Sequence, residues 1–310
     1  MPLDPQAKAL MDQMAALGGP KIEELSAAEA RKIMGRGLVV PDDKLEKLAR
    51  IENRKIPGPA GEIPVRIYTP EGRGPFPVLV FIHGGGWVIC DLDTHDAPCR
   101  FLTNHVKCVT VSIDYRLAPE HKFPAGVEDC WAAVRWIGAN AALVDGDPQR
   151  IAIGGDSAGG NLSAVVAQLA RNAGGPKLAF QLLVYPATET GLDTYSHQTF
   201  RDYFLTADAI KWFWGHYLNS EEDKKNPRVA PALTHDLRGL PPALVITAEF
   251  DPLRDEGEAY GERLRAAGVP VTVTRYDGMI HGFFSMYHVL DKGREALQES
   301  AAALRRVFGT

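Results

Sequence analysis

Two glycine-rich stretches hold the residues whose types and spacing could do chemistry. In IAIGGDSAGGNLSA, residues 151 to 164, Ser157 stands between Gly155 and Gly159, after an apolar run and before a helical pattern. A sharp strand-to-helix turn there would lift the serine into an exposed position, and the flanking glycines would avoid Cβ clashes. A serine hydroxyl is a weak nucleophile until a base takes its proton, so the pattern requires a histidine oriented by an acid. The second stretch, PVLVFIHGGGW at 77 to 87, ends an apparent buried strand with Gly84, Gly85 and Gly86. Glycine weakens a strand, so bare backbone must be needed there. Attack on an ester carbonyl creates an oxyanion, and backbone N–H groups aimed at that charge stabilise it without reorganising.

A serine on such an elbow is followed in the chain by its acid and then by its base. That order excludes His83, His95, His105 and His121. His281, in YDGMIHGFF, follows an apolar strand pattern and precedes a helical one, where a loop would project it over the sheet. His288 is expected inside the last helix, and His197, His216 and His235 are expected to cap or pack in an insertion. For the acid, the strand pattern ALVITAEF runs straight into Asp251 of EFDPLRDEG. Pro252 pushes its predecessor out of helical conformation and favours Asp251. Asp255, expected in a first helical turn that favours acids, and Glu249 are the alternatives. One oxyanion donor would follow the nucleophile, at Ala158, and others would come from the HGGG loop.

These residues need a sheet whose strand ends converge. Short apolar runs (PVRIYTP, PVLVFIH, CVTVSIDY, RIAIGGD, FQLLVYP, ALVITAEF and VTVTRYD) alternate with helical patterns such as VEDCWAAVRWIGANAAL. Strand and helix in alternation predict an α/β architecture, a mainly parallel central sheet with helices on both faces. Two parts lie outside the alternation: a charge-rich helical region to residue 52, and an insertion at 188–226 containing FRDYFLTADAIKWFWGHYL, too long for a plain crossover. The expected organisation is therefore a core of 53–187 and 227–310, with 1–52 and 188–226 forming a helical cap over one end of the sheet.

Composition sets outer bounds. The chain has 310 residues, 45% hydrophobic and 24% charged, with a net charge of -5 and a pI near 6.0. That is enough for a large core and gives no basic field for nucleic acid. No apolar run is long enough for a bilayer and no basic-then-apolar leader opens the sequence, so a cytoplasmic address without membrane insertion is expected. Cys90, Cys99, Cys108 and Cys130 form no C-x-x-C or zinc-type spacing and are expected as reduced thiols.

The combination HGGGW (83–87), YRLAPEHKFPA (115–125), GDSAGGNL (155–162), DPLRDEG (251–257) and IHGF (280–283) resembles the hormone-sensitive-lipase-like family of carboxylesterases, particularly its bacterial members. The resemblance implies an α/β-hydrolase fold with a helical cap, a triad of Ser157, Asp251 and His281, and oxyanion donors at Gly85, Gly86 and Ala158. It implies a small ester as substrate, water as the second substrate, and no metal or cofactor. Aromatic residues of the insertion, Phe204, Trp212, Phe213 and Trp214, with Trp87 beside the glycine loop, are expected to line an apolar pocket for short-to-medium acyl chains. The same fold serves plant gibberellin receptors, which have lost the histidine that His281 supplies here, and the same triad could serve an amidase or deacetylase. The sequence leaves the oligomeric state open.

Overall fold

The structure is a computed structural model that describes residues 2–310, with the backbone alone for 34–38. The chain begins with α1 (Pro5–Leu17), whose first turn is capped by the Asp4 side chain accepting from the Gln6 N–H, and α2 (Ala27–Leu38), opened by a reciprocal capping box between Ser26 and Glu29. A hairpin follows, β1 (Arg50–Gly58) and β2 (Gly61–Thr69). Then come β3 (Phe76–Ile82), α3 (Asp96–Val106), β4 (Val109–Ile113), α4 (Ala125–Asn140), β5 (Gly146–Asp156), α5 (Ala158–Asn172) and β6 (Leu178–Val184). Two helices, α6 (Tyr195–Thr199) and α7 (Ala207–Tyr217), precede β7 (Ala243–Phe250), α8 (Arg254–Ala266), β8 (Val271–Ile280) and α9 (Asp291–Phe308).

The strands form one sheet in the order β1-β2-β4-β3-β5-β6-β7-β8. β1 and β2 pair antiparallel and β2 joins β4 antiparallel, while every pairing from β4 across to β8 is parallel. The central strands are buried on both faces, as β3 illustrates. Its Val78, Val80 and Ile82 share a core with Val134 of α4 and Leu162 and Val166 of α5. Its Leu79 and Phe81 share the opposite core with Leu102 of α3 and Leu297 and Leu304 of α9. Such strands read as continuous apolar runs because neither face meets water.

The sequence pattern predicts a helical region to residue 52, but β1 begins at Arg50. In this edge strand, RIENRKIPG, only Ile56 is fully buried, so its pattern carries too many charges to stand out as a strand. His288 also differs from expectation: it lies in the turns that precede α9, not within that helix. Among the described residues no helix is long and apolar enough to cross a membrane. The segments that leave the carboxyl ends of the parallel strands include 83–90 after β3, Ser157 after β5, 251–253 after β7 and 281–290 after β8. In open α/β sheets that end is where ligands bind.

Candidate active site

Ser157 occupies the junction between β5 and α5 with φ 55° and ψ −118°, a left-handed conformation that costs energy for any residue with a Cβ. Its N–H donates to the Val184 carbonyl of the neighbouring β6 and its carbonyl accepts from Asn161 of α5, so the strained residue is held from two sides. Gly159 makes the turn possible by close approach, since a Cβ there would overlap the Ile82 carbonyl at the end of β3. Ser157 Oγ lies 2.9 Å from His281 Nε2, and His281 Nδ1 lies 2.6 Å from Asp251 Oδ2. The Asp251 carboxylate is fully buried and accepts the Leu253 N–H at 2.9 Å through its other oxygen. Asp255 is turned elsewhere, paired with Arg254 and accepting the Ser196 N–H, and Glu249 accepts the Gly278 N–H. His288 Nε2 is buried without a hydrogen-bond partner among the described residues, its ring against Tyr287.

The glycine loop turns at Gly85 and Gly86, with φ 103° and 58°. The Gly85 carbonyl accepts from Val88 and Ile89, closing the loop on itself. Gly84 N–H donates to Asp156 Oδ1 at 3.1 Å, which separates it from its neighbours. The N–H groups of Gly85, Gly86 and Ala158 donate to no protein acceptor among the described residues. The Ala158 N–H is one that no helix can satisfy internally, because it belongs to the first turn of α5.

Asp156, absent from the residues expected at the site, holds the Gly84 N–H and borders the cavity. Burial opposes its charge, yet His95, 3.1 Å away though out of hydrogen-bond alignment, helps to hold the carboxyl below the usual range. His83 stacks on Tyr115 with ring centroids 4.4 Å apart and contacts the Gly84 carbonyl through Nδ1 at 2.7 Å. Burial, with His95 nearby, pushes the His83 imidazole down to about 4. A polar layer thus underlies the glycine loop. The signal for Asp156 in the sequence is an acid directly before the elbow serine, outside the chain order in which acid and base follow the nucleophile.

Above Ser157 and His281 lies a cavity of about 360 Å³. The N-terminal region contributes Met14 and Ile22 to its wall, and the insertion contributes Phe204, Ile210, Phe213 and Trp214. Phe213 packs so closely on Gly86 that a Cβ there would run into the ring. Trp87 reaches the cavity from a stack with Tyr217, centroids 4.5 Å apart, and a tilted contact with Trp214 at 4.4 Å. Trp212, expected beside them, does not line the cavity. Its indole N–H donates to the Leu25 carbonyl at 3.2 Å and its ring meets His216, because helical spacing turns position 212 toward the N-terminal region. Cys90 also borders the cavity, and burial pushes its thiol up to about 12, which leaves it protonated and unreactive.

Residues 79–285 match the family model described as alpha/beta hydrolase fold. The carboxylic ester hydrolase LipN of Mycobacterium tuberculosis is 49% identical over 256 residues, 80% of this chain and 68% of that protein. Among solved structures, an ester hydrolase from the metagenome of Lake Arreo superposes with a TM-score of 0.95 at 44% identity, covering 99% of this chain and 100% of that one. The esterase of Pyrobaculum calidifontis gives 0.93 at 41%, covering 98% and 99%. With a model spanning two thirds of the sequence and relatives this similar on the same sheet, the chain belongs to the hormone-sensitive-lipase-like carboxylesterase family of α/β-hydrolases.

Proposed function

We propose that this chain hydrolyses short-to-medium acyl esters of small molecules by a two-step acyl transfer on Ser157. The observation that carries the reading is the continuous chain Ser157 Oγ, His281, Asp251, with separations of 2.9 and 2.6 Å, on the floor of an apolar cavity. Ser157 attacks the ester carbonyl carbon while His281 Nε2 takes the hydroxyl proton. Asp251 holds the Nδ1–H tautomer and stabilises the imidazolium. The carbonyl oxygen, now negative, receives the N–H groups of Gly85, Gly86 and Ala158. As the C–O bond breaks, the proton on Nε2 passes to the departing alcohol. Water then adds to the acyl-enzyme by the same route, its proton taken by His281 and returned to Ser157.

Residues 1–52 and 188–226 act as one cap in this reading, since side chains from both close the cavity over the serine. The apolar wall favours an acyl chain, with each buried methylene contributing about 0.8 kcal/mol until the space is filled. A cavity of this size supports soluble esters of modest length over emulsified triglyceride. The test is a series of p-nitrophenyl esters from acetate upward with matched anilides. Rising and then falling kcat/KM along the acyl series, with anilides poor, is the expected result. Preference for anilides would replace the esterase reading with an amidase one.

A further inference from the structure

The insertion grips the loop that carries Asp251. Ser196 of α6 is fully buried, and its hydroxyl donates to the Pro252 carbonyl at 2.6 Å. The same oxygen accepts the Asp255 N–H at 3.2 Å, while the Ser196 N–H donates to the Asp255 carboxylate at 2.8 Å. Phe200 strengthens the contact, lying under the Arg254 guanidinium at 4.9 Å and against Phe250, the residue before Asp251, at 5.2 Å. Glu256 accepts the N–H groups of Thr188 and Glu189 at 2.6 and 3.1 Å, a second fastening from the same segment.

A helix start explains why Ser196 is there. The first N–H groups of α8 have no partners inside the helix, and its N-cap is Leu253, whose side chain has no acceptor to offer. Ser196 supplies the missing cap from another part of the chain, and its hydroxyl simultaneously ties down the carbonyl that follows Asp251. Leu253 N–H in turn holds Asp251 Oδ1, so the serine lies two hydrogen bonds from the carboxylate that faces His281.

We infer that Ser196 is a positioning residue for the reaction: it fixes the Asp251 loop from the insertion, so the cap sets the alignment of the acid as well as covering the cavity. The inference rests on the reading of Asp251 as the triad acid. Misplacing a catalytic group by a fraction of an ångström is enough to slow a reaction whose geometry is otherwise intact.

The test compares Ser196→Ala and Ser196→Thr with the natural protein, reading kcat and KM on p-nitrophenyl butyrate and the low-field proton resonance of the His281–Asp251 hydrogen bond. Ser196→Ala should fold, lose about tenfold in kcat with KM within twofold, and shift or broaden the resonance. Ser196→Thr, which keeps the hydroxyl, should recover most of both. If the alanine variant fails to fold, Ser196→Cys, with a weaker donor and acceptor, is read by the same criteria. A folded variant with natural kcat and an unmoved resonance overturns the inference, as does a rise in KM alone, which would make the segment a pocket wall. An Asp251→Asn variant with natural kcat would instead remove Asp251 from the triad, and this inference with it.

Discussion

On the proposed mechanism, replacing Ser157 by Ala removes the attacking oxygen and leaves the turn between β5 and α5 in place, so kcat should fall by about four to six powers of ten with the fold intact. His281→Ala should do the same and His288→Ala should not, since the His288 ring sits against Tyr287, away from the serine. Steady-state assays with circular dichroism check both. A folded Ser157→Ala protein retaining more than a few per cent of activity would move the nucleophile elsewhere. A second residue-scale expectation concerns Gly86, whose positive φ and contact with Phe213 leave no room for a methyl group. On the proposed mechanism, Gly86→Ala should cost roughly a hundredfold in kcat with a smaller effect on KM, because it displaces an N–H that stabilises charge present only in the transition state. Loss confined to KM would make the loop a mere wall. At this scale the juxtaposition of Ser157, Asp251 and His281 was legible because each stands at the end of an apolar run in a fixed chain order. Asp156 with His95 and Ser196 with Asp255 were not, because their contacts join positions separated by about sixty residues with no spacing rule between them.

The inserted helix α7 sends its aromatic residues to different places, which separates two roles that composition alone merges. Phe213 meets the glycine loop and the cavity, whereas Trp212 fastens the insertion to Leu25 of the N-terminal region. Phe213→Ala should therefore shift the acyl-length optimum of kcat/KM toward longer chains, because it deepens the cavity. Trp212→Ala should lower the thermal midpoint by several degrees, with the optimum unmoved. Measuring both quantities for both variants checks the division, and an equal shift in optimum from Trp212→Ala would contradict it. The sequence marked the whole aromatic cluster as a pocket because a one-dimensional pattern does not say which side of a short helix meets the substrate. Element boundaries were least legible where burial is one-sided. β1 carries Arg50, Glu52, Arg54 and Lys55 in a single strand, and only the pairing with β2 makes it one.

Across the whole molecule, the polar layer beneath the glycine loop links stability to pH. His83 is fully buried with its imidazole pushed down to about 4, beside His95 and Asp156. An unfolded chain would bind a proton at that histidine near the ordinary value of about 6.5. Above that range neither state binds the proton and His83 imposes no penalty. As pH falls from about 6.5 toward 4, the unfolded chain takes up a proton that the folded one refuses, so folding weakens, by roughly 3 kcal/mol at pH 4. Asp156 adds in the same direction, because its carboxyl is held below the usual range and its contribution is lost as pH falls. Urea midpoints of the natural protein and of His83→Asn, measured from pH 7 to 4, isolate the histidine. The difference in unfolding free energy between the natural protein and the variant should move against the natural protein by roughly 3 kcal/mol over that range. A difference that stays constant with pH would mean that His83 takes up its proton in the folded state as readily as in the unfolded one, and the layer under the loop would then tolerate a charge that its burial forbids.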